Sequence, residues 1–129
     1  PPGAIQLAVA LRTLGQDVVL VVDDHAGAIV RAAAGDIPVR TLPPGDSPEL
    51  RGIPTVTTTH IVAVERPGRA VNERYYNMRG GEVSAYVAAM DELFLDPHRK
   101  YATVAVGDGG NELGMAAVSE LPARKNVTP

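Results

Sequence analysis

The sequence predicts an α/β fold, a three-layer arrangement in which a mostly parallel sheet carries helices on both faces. Three observations predict it. Short apolar, β-branched runs alternate with segments of helical period along the whole chain. Runs such as 18–22 are continuously apolar, as parallel strands buried on both faces are. The apolar runs at 18–22, 61–64 and 102–106 also end in charged or glycine-rich turns, where open α/β sheets hold ligands. The chain has 129 residues, 45% of them hydrophobic, enough for one α/β domain over 1–129 with a real core. Aromatic residues make up only 4%, with no Trp, so that core is built from Val, Ala, Leu and Ile.

In chain order, Pro2 and Gly3 suit a helix start, because proline is pre-set for a first turn. Ile5, Ala8, Val9, Leu11 and Leu14 follow at helical spacing, and Gly15 ends the run. A strand is expected at 18–22, followed by Asp23, Asp24 and His25 at its end. A short helix over 26–34 closes at Gly35. Residues 37–42 read as a second strand, with Pro38 arguing for an edge position. Residues 43–54 are loop, rich in Pro, Gly, Asp and Ser. A third strand over 56–64 ends in the charged turn Glu65-Arg66-Pro67-Gly68-Arg69. The polar stretch 72–81 follows. Ser84 is expected to cap a helix whose inner face is Tyr86, Val87, Met90, Leu93 and Phe94, with Pro97 stopping it.

The stretch 102–114 reads A-T-V-A-V-G-D-G-G-N-E-L-G, a buried strand running into a glycine-rich turn. Asn111 can cap a helix expected from about Glu112 to Leu121, whose first amides would form an anion site. Taken alone, this stretch also reads as a tight capped turn, but two acids inside a glycine-rich turn favour a site. Because the chain enters a helical pattern at once, it reads as the middle of a longer domain with a strand upstream.

Composition excludes several function classes. Net charge is −3 with no basic run, which argues against nucleic acid as a partner. No apolar stretch approaches the roughly 20 residues that span a bilayer, so no membrane partner is expected. With no cysteine, disulfides and thiolate chemistry are excluded. No targeting peptide is expected ahead of the first helix. There is no Walker loop, no G-x-G-x-x-G spacing and no nucleophile elbow. No cofactor is expected, apart from a divalent metal considered below, and nothing specifies an oligomeric state.

In a parallel sheet the strand C-termini share one edge, so 23–25, 65–69 and 107–112 are expected to converge there. Arg66, Arg69 and Arg79 offer planar forks for carboxylate or phosphate, or are ordinary surface arginines. Glu65 is a base or a salt-bridge partner for Arg66. Asp108 and Glu112 form an acid–base pair, hold a divalent metal with Asp23, or merely cap the turn and complement a helix start. His25 and His60 lack metal-ligand spacing, and His98 should face solvent. The Tyr75-Tyr76 pair reads as a lid over a pocket, or as packing against a neighbouring helix.

Three of these stretches carry a resemblance. Glu65-Arg66-Pro67-Gly68-Arg69-Ala70, Tyr75-Tyr76-Asn77-Met78-Arg79-Gly80 and Gly107-Asp108-Gly109-Gly110-Asn111-Glu112-Leu113-Gly114-Met115 together resemble the D-glutamate cyclase family, as does Pro1-Pro2-Gly3-Ala4. The similarity covers most of the chain in the same order. It implies a lyase that closes D-glutamate to 5-oxo-D-proline with loss of water, in the cytoplasm or, in a eukaryote, the mitochondrial matrix. On that reading the partner is an acidic amino acid. Asp108, Glu112 and Glu65 are then catalytic, while Arg66, Arg69, Tyr76, Asn77, Arg79, Gly109, Gly110 and Asn111 bind substrate. The amides around Gly109 and Gly110 would stabilise the developing oxyanion. The alternative is a non-catalytic α/β module that binds a small carboxylate or phosphate ligand at the same edge.

Overall fold

The computed structural model describes residues 2–46 and 57–115. The first half is a β-α-β unit preceded by a helix: α1 (Pro2–Thr13), β1 (Leu20–Asp23), α2 (Asp24–Ala33) and β2 (Val39–Leu42). Gly35, at φ 63°, lets the chain leave α2 and turn back toward β2, a conformation that other residues adopt at a cost. β2 pairs with β1 in parallel, Leu20 opposite Val39 and Asp23 opposite Leu42. This is the crossover that the apolar spacing predicts.

Both helices pack on the same face of this pair. Ala8 of α1 and Val30 of α2 share one cluster with Leu20, Ala34 and Ile37. Gly27 permits the closest approach, since a Cβ there would fall on the Thr41 side chain. The opposite face carries Val21 and Leu42, which pack on Ala88 and Met90. Leu42 is 0% exposed, and burying a leucine contributes about 1.5–3 kcal/mol.

That second layer corrects the expectation of one helix over Ser84 to Phe94. A 3-10 turn spans Ser84–Tyr86, the chain then runs extended, and only Glu92–Leu95 (α3) is helical. The cause lies in the backbone groups of 87–89, which are taken by partners outside any helix. The Val87 carbonyl accepts from Gly45 N (3.1 Å), Ala89 N donates to the Asp46 carbonyl (3.0 Å), and Ala88 N donates to the Asp23 carboxylate (2.8 Å). The Ser84 hydroxyl does not cap this segment but accepts from Tyr75 N at 3.0 Å.

The second half contains β3 (His60–Val64) and β4 (Ala102–Val106), again parallel, with His60 opposite Ala102 and Val64 opposite Val106. β3 is shorter than expected, because 57–59 lie outside the strand. The helix expected from Glu112 does not start there: Glu112 bridges Pro67 and Gly114 turns at φ 82°, while 116–121 and the 47–54 part of the predicted loop fall outside the described residues. Among the described residues the four strands therefore form two parallel pairs rather than one continuous sheet. The α/β character and parallel pairing stand. No described helix is long and apolar enough to cross a membrane.

Candidate active site

The ends of β1, β3 and β4 do meet. β3 passes into Glu65, which sits in the left-handed region at φ 53°. A non-glycine residue holds that conformation only where its surroundings fix it, and such residues cluster at functional sites. Here Glu65 N donates to the Val106 carbonyl at 2.8 Å, tying the turn to the end of β4. Two residues on, Pro67 bridges to Glu112, and Leu113 N donates to the Arg66 carbonyl at 2.8 Å. The turn after β3 and the glycine turn after β4 are thus stitched together.

Three of the expected acids converge at that seam. Carboxylate oxygens of Glu65, Asp108 and Glu112 lie within 4.8 Å of one another. Glu65 and Asp108 are exposed, whereas Glu112 is 9% exposed. The Glu112 carboxylate accepts from Gly109 N (2.9 Å) and Gly110 N (2.7 Å), so its charge is compensated by two backbone amides. Glycine is required here for space. A Cβ on Gly107 would stand 2.6 Å from that of Glu112, and one on Gly109 would stand 2.6 Å from its Oε1. Three oxygen donors this close suit a hard divalent cation. Asp23, in one sequence-based alternative a metal ligand with Asp108 and Glu112, is instead gripped by Arg66.

A cavity of about 200 Å³ borders the same turn, lined by Tyr76, Asn77, Met78, Gly80, Gly109, Gly110 and Asn111. Gly109 and Gly110 belong both to this wall and to the Glu112 cradle. The cavity's far side is a braced turn: Asn77 Oδ1 accepts from Arg79 N and Gly81 N, each at 2.9 Å. Asn111 Nδ2 donates to the Tyr76 carbonyl at 2.7 Å, linking the two walls. Asn111 therefore uses its side chain across the cavity and not as a helix cap.

The three arginines separate. Arg66 makes a two-point grip on Asp23, and its Nη2 also donates to the Ala88 carbonyl at 2.6 Å. Arg69 Nε donates to Asp91 at 2.8 Å, which raises the Arg69 pKa. Arg79 is exposed and is not among the cavity-lining residues, although Met78 and Gly80 on either side of it are, and its guanidinium pairs with no acid among the described residues. Glu65 is not the partner of Arg66. Of the tyrosines, Tyr75 is packed inside and bonded to Asp91, with its pKa pushed up chiefly by burial. Tyr76 borders the cavity, its hydroxyl accepting from Asn72 Nδ2 at 2.7 Å. His25 packs edge-on against Tyr86, and His60 Nδ1 lies 3.1 Å from the Thr59 hydroxyl.

Residues 1–125 match the family model described as D-glutamate cyclase-like, C-terminal. The chain belongs to the D-glutamate cyclase-like family. Human mitochondrial D-glutamate cyclase is 34% identical over 143 aligned positions, which cover 96% of this chain and 23% of that protein. The chain thus spans about a quarter of the length of that relative. The three stretches that carry the family resemblance in sequence are those that build the acid cluster and the cavity wall. Sequence reasoning missed Met78 and Gly80 as cavity residues, although both stand inside the Y-Y-N-M-R-G stretch. It also missed Asp91, whose signal was a carboxylate set in the apolar run V-A-A-M-D-E-L-F.

Proposed function

We propose that this chain carries lyase chemistry of the D-glutamate cyclase type, closing D-glutamate to 5-oxo-D-proline with loss of water. The α-amine gives up a proton and attacks the γ-carboxyl carbon. A C–N bond forms, the C–O bond breaks, and the departing oxygen takes up protons and leaves as water. The observation that supports this reading is the meeting of Glu65, Asp108 and Glu112 at a glycine turn that also walls a cavity. Exposed Asp108 and Glu65 exchange protons with the reacting amine and leaving oxygen, while Glu112 holds the turn in shape. Arg79 receives the substrate's α-carboxylate, because Arg66 and Arg69 are already engaged. Tyr76, Asn77 and Asn111 form the wall against the substrate chain.

The alternative use of the same acids is as ligands: Glu65, Asp108 and Glu112 would then hold a divalent cation in place of the proton-transfer roles, and the metal dependence of turnover separates the two. A cation held there would supply Lewis-acid polarisation of the carboxyl group under attack. The setting is the cytoplasm, or the mitochondrial matrix in a eukaryote. A binding-only module is favoured by one observation, that Glu112 already takes the Gly109 and Gly110 amides which would otherwise serve an oxyanion.

Turnover decides between the two. Purified protein is incubated with D-glutamate and, separately, L-glutamate, with and without Mg²⁺ or Mn²⁺, and 5-oxoproline is followed by chromatography. Product from the D isomer supports the reading, and Asp108→Asn and Glu112→Gln should then lower turnover in folded protein. No product either from this folded chain or from one extended at both ends rejects it, and a thermal midpoint that rises with D-glutamate concentration then marks the binding module.

A further inference from the structure

We propose that Asp23, at the far end of the first strand pair, is a positioning residue for the carboxylate cluster and acts through Arg66. The two residues are 43 apart in sequence, and both side chains are only 13% exposed. Asp23 Oδ1 accepts from Arg66 Nη2 (2.9 Å) and from Ala88 N (2.8 Å), while Oδ2 accepts from Arg66 Nη1. Arg66 Nη2 closes the triangle on the Ala88 carbonyl at 2.6 Å. The guanidinium is therefore anchored at two elements, the end of β1 and the 87–90 layer.

Its main chain runs through the seam of the site. Glu65 precedes it by one peptide bond and depends on outside restraint to stay at φ 53°. The Arg66 carbonyl accepts from the amide of Leu113, the residue after Glu112, and Pro67 bridges Glu112 itself. One residue thus has its side chain fixed to β1 and its backbone joined to Glu65 by a peptide bond and to Leu113, the neighbour of Glu112, by a hydrogen bond. A paired, desolvated charge is a stiff anchor because breaking it leaves a buried cation without compensation. Asp23 touches none of the three acids in this arrangement. Its effect on them passes through Arg66.

The activity arm of this inference rests on the function proposed above, and a second arm does not. Asp23→Asn keeps the shape and one acceptor oxygen but removes the charge. In the full chain, amide hydrogen exchange is compared with wild type. Gly109, Gly110 and Leu113 should exchange roughly tenfold faster, the change expected when a charge-assisted hydrogen bond stops supporting local closure. Ala34, bonded to Val30, and Ala102, bonded to Thr59, should keep their rates. Turnover of D-glutamate should show kcat reduced about 10–100-fold, as for other supporting residues, with KM little changed. Unchanged exchange at Gly109, Gly110 and Leu113 overturns the proposal. Uniformly faster exchange that includes Ala34 and Ala102 overturns it too, in favour of a plain stability role, and Arg66→Lys checks that distinction in a second variant. A wild-type protein without turnover counts against the proposed reaction alone, and the exchange comparison then decides the role of Asp23.

Discussion

The Tyr75 hydroxyl donates to one carboxylate oxygen of Asp91, and the other oxygen receives Arg69 Nε at 2.8 Å. Burial first, and the Asp91 bond second, push the Tyr75 pKa above its ordinary value. The folded state therefore holds this proton more tightly than the unfolded chain does. By linkage, the stabilisation is fully present below the ordinary tyrosine value of about 10 and is lost as pH rises past it. Urea unfolding followed between neutral pH and about pH 11 should show stability falling in the alkaline range. Tyr75→Phe should flatten that fall while lowering stability near neutrality.

Asp91 itself is 1% exposed and is the common acceptor for Arg69 and Tyr75. Asp91→Ala would strand a guanidinium and a phenol together. Arg69 retains partial solvent access, so the expected loss lies near the lower end for a broken buried pair, about 3 kcal/mol. A lowered urea midpoint at constant slope checks it. A shift under about 0.5 kcal/mol, the ordinary surface range, would refute the assignment of Asp91 as a structural hub.

What the sequence reveals and what it hides divide along a physical line. Local signals place β1, β2, β4, α1 and α2, because apolar period and glycine stops act over a few residues. The meeting of Glu65, Asp108 and Glu112 is also legible, since parallel strands bring their C-terminal turns to one edge. The 84–95 segment is not. Its apolar spacing fits a helix, but Asp23, Gly45 and Asp46 claim its backbone groups from more than 40 positions away. The same distance hides the role of Arg66. A loop arginine looks ready for a ligand until Asp23 is seen to hold it. Glu112 as the acceptor for Gly109 and Gly110 is hidden for a different reason, because glycine and acid signal a turn without saying which group fills it.

Gly109→Ala tests that cradle. The new Cβ would stand 2.6 Å from Glu112 Oε1 and 3.0 Å from Asn111 Oδ1, so both side chains must move. A displacement on the order of 1 Å at a reacting centre can cost about 10²-fold in rate. Turnover of D-glutamate should fall by that order while the far-ultraviolet circular dichroism stays that of the folded chain. Undiminished turnover would mean that the Glu112 cradle has no part in the chemistry.

Arg66 and Arg79 carry the same group and should respond in opposite ways. Arg66→Ala removes the partner of a carboxylate that is 13% exposed, so the loss should appear as stability, on the order of 3 kcal/mol. Arg79 lies at the surface without an acidic partner among the described residues, and replacing it should move the unfolding midpoint by no more than about 0.5 kcal/mol. Its loss should instead be read in substrate affinity. A charge-assisted grip on a carboxylate contributes about 1.5–3 kcal/mol, so KM for D-glutamate should rise roughly 10- to 100-fold in Arg79→Ala. Arg79→Lys should recover part of this, since it restores the charge but not the two-point geometry. An unchanged KM in Arg79→Ala would remove Arg79 from the site and send the search for the carboxylate anchor back to the outward side of Arg69, whose Asp91 contact uses only Nε.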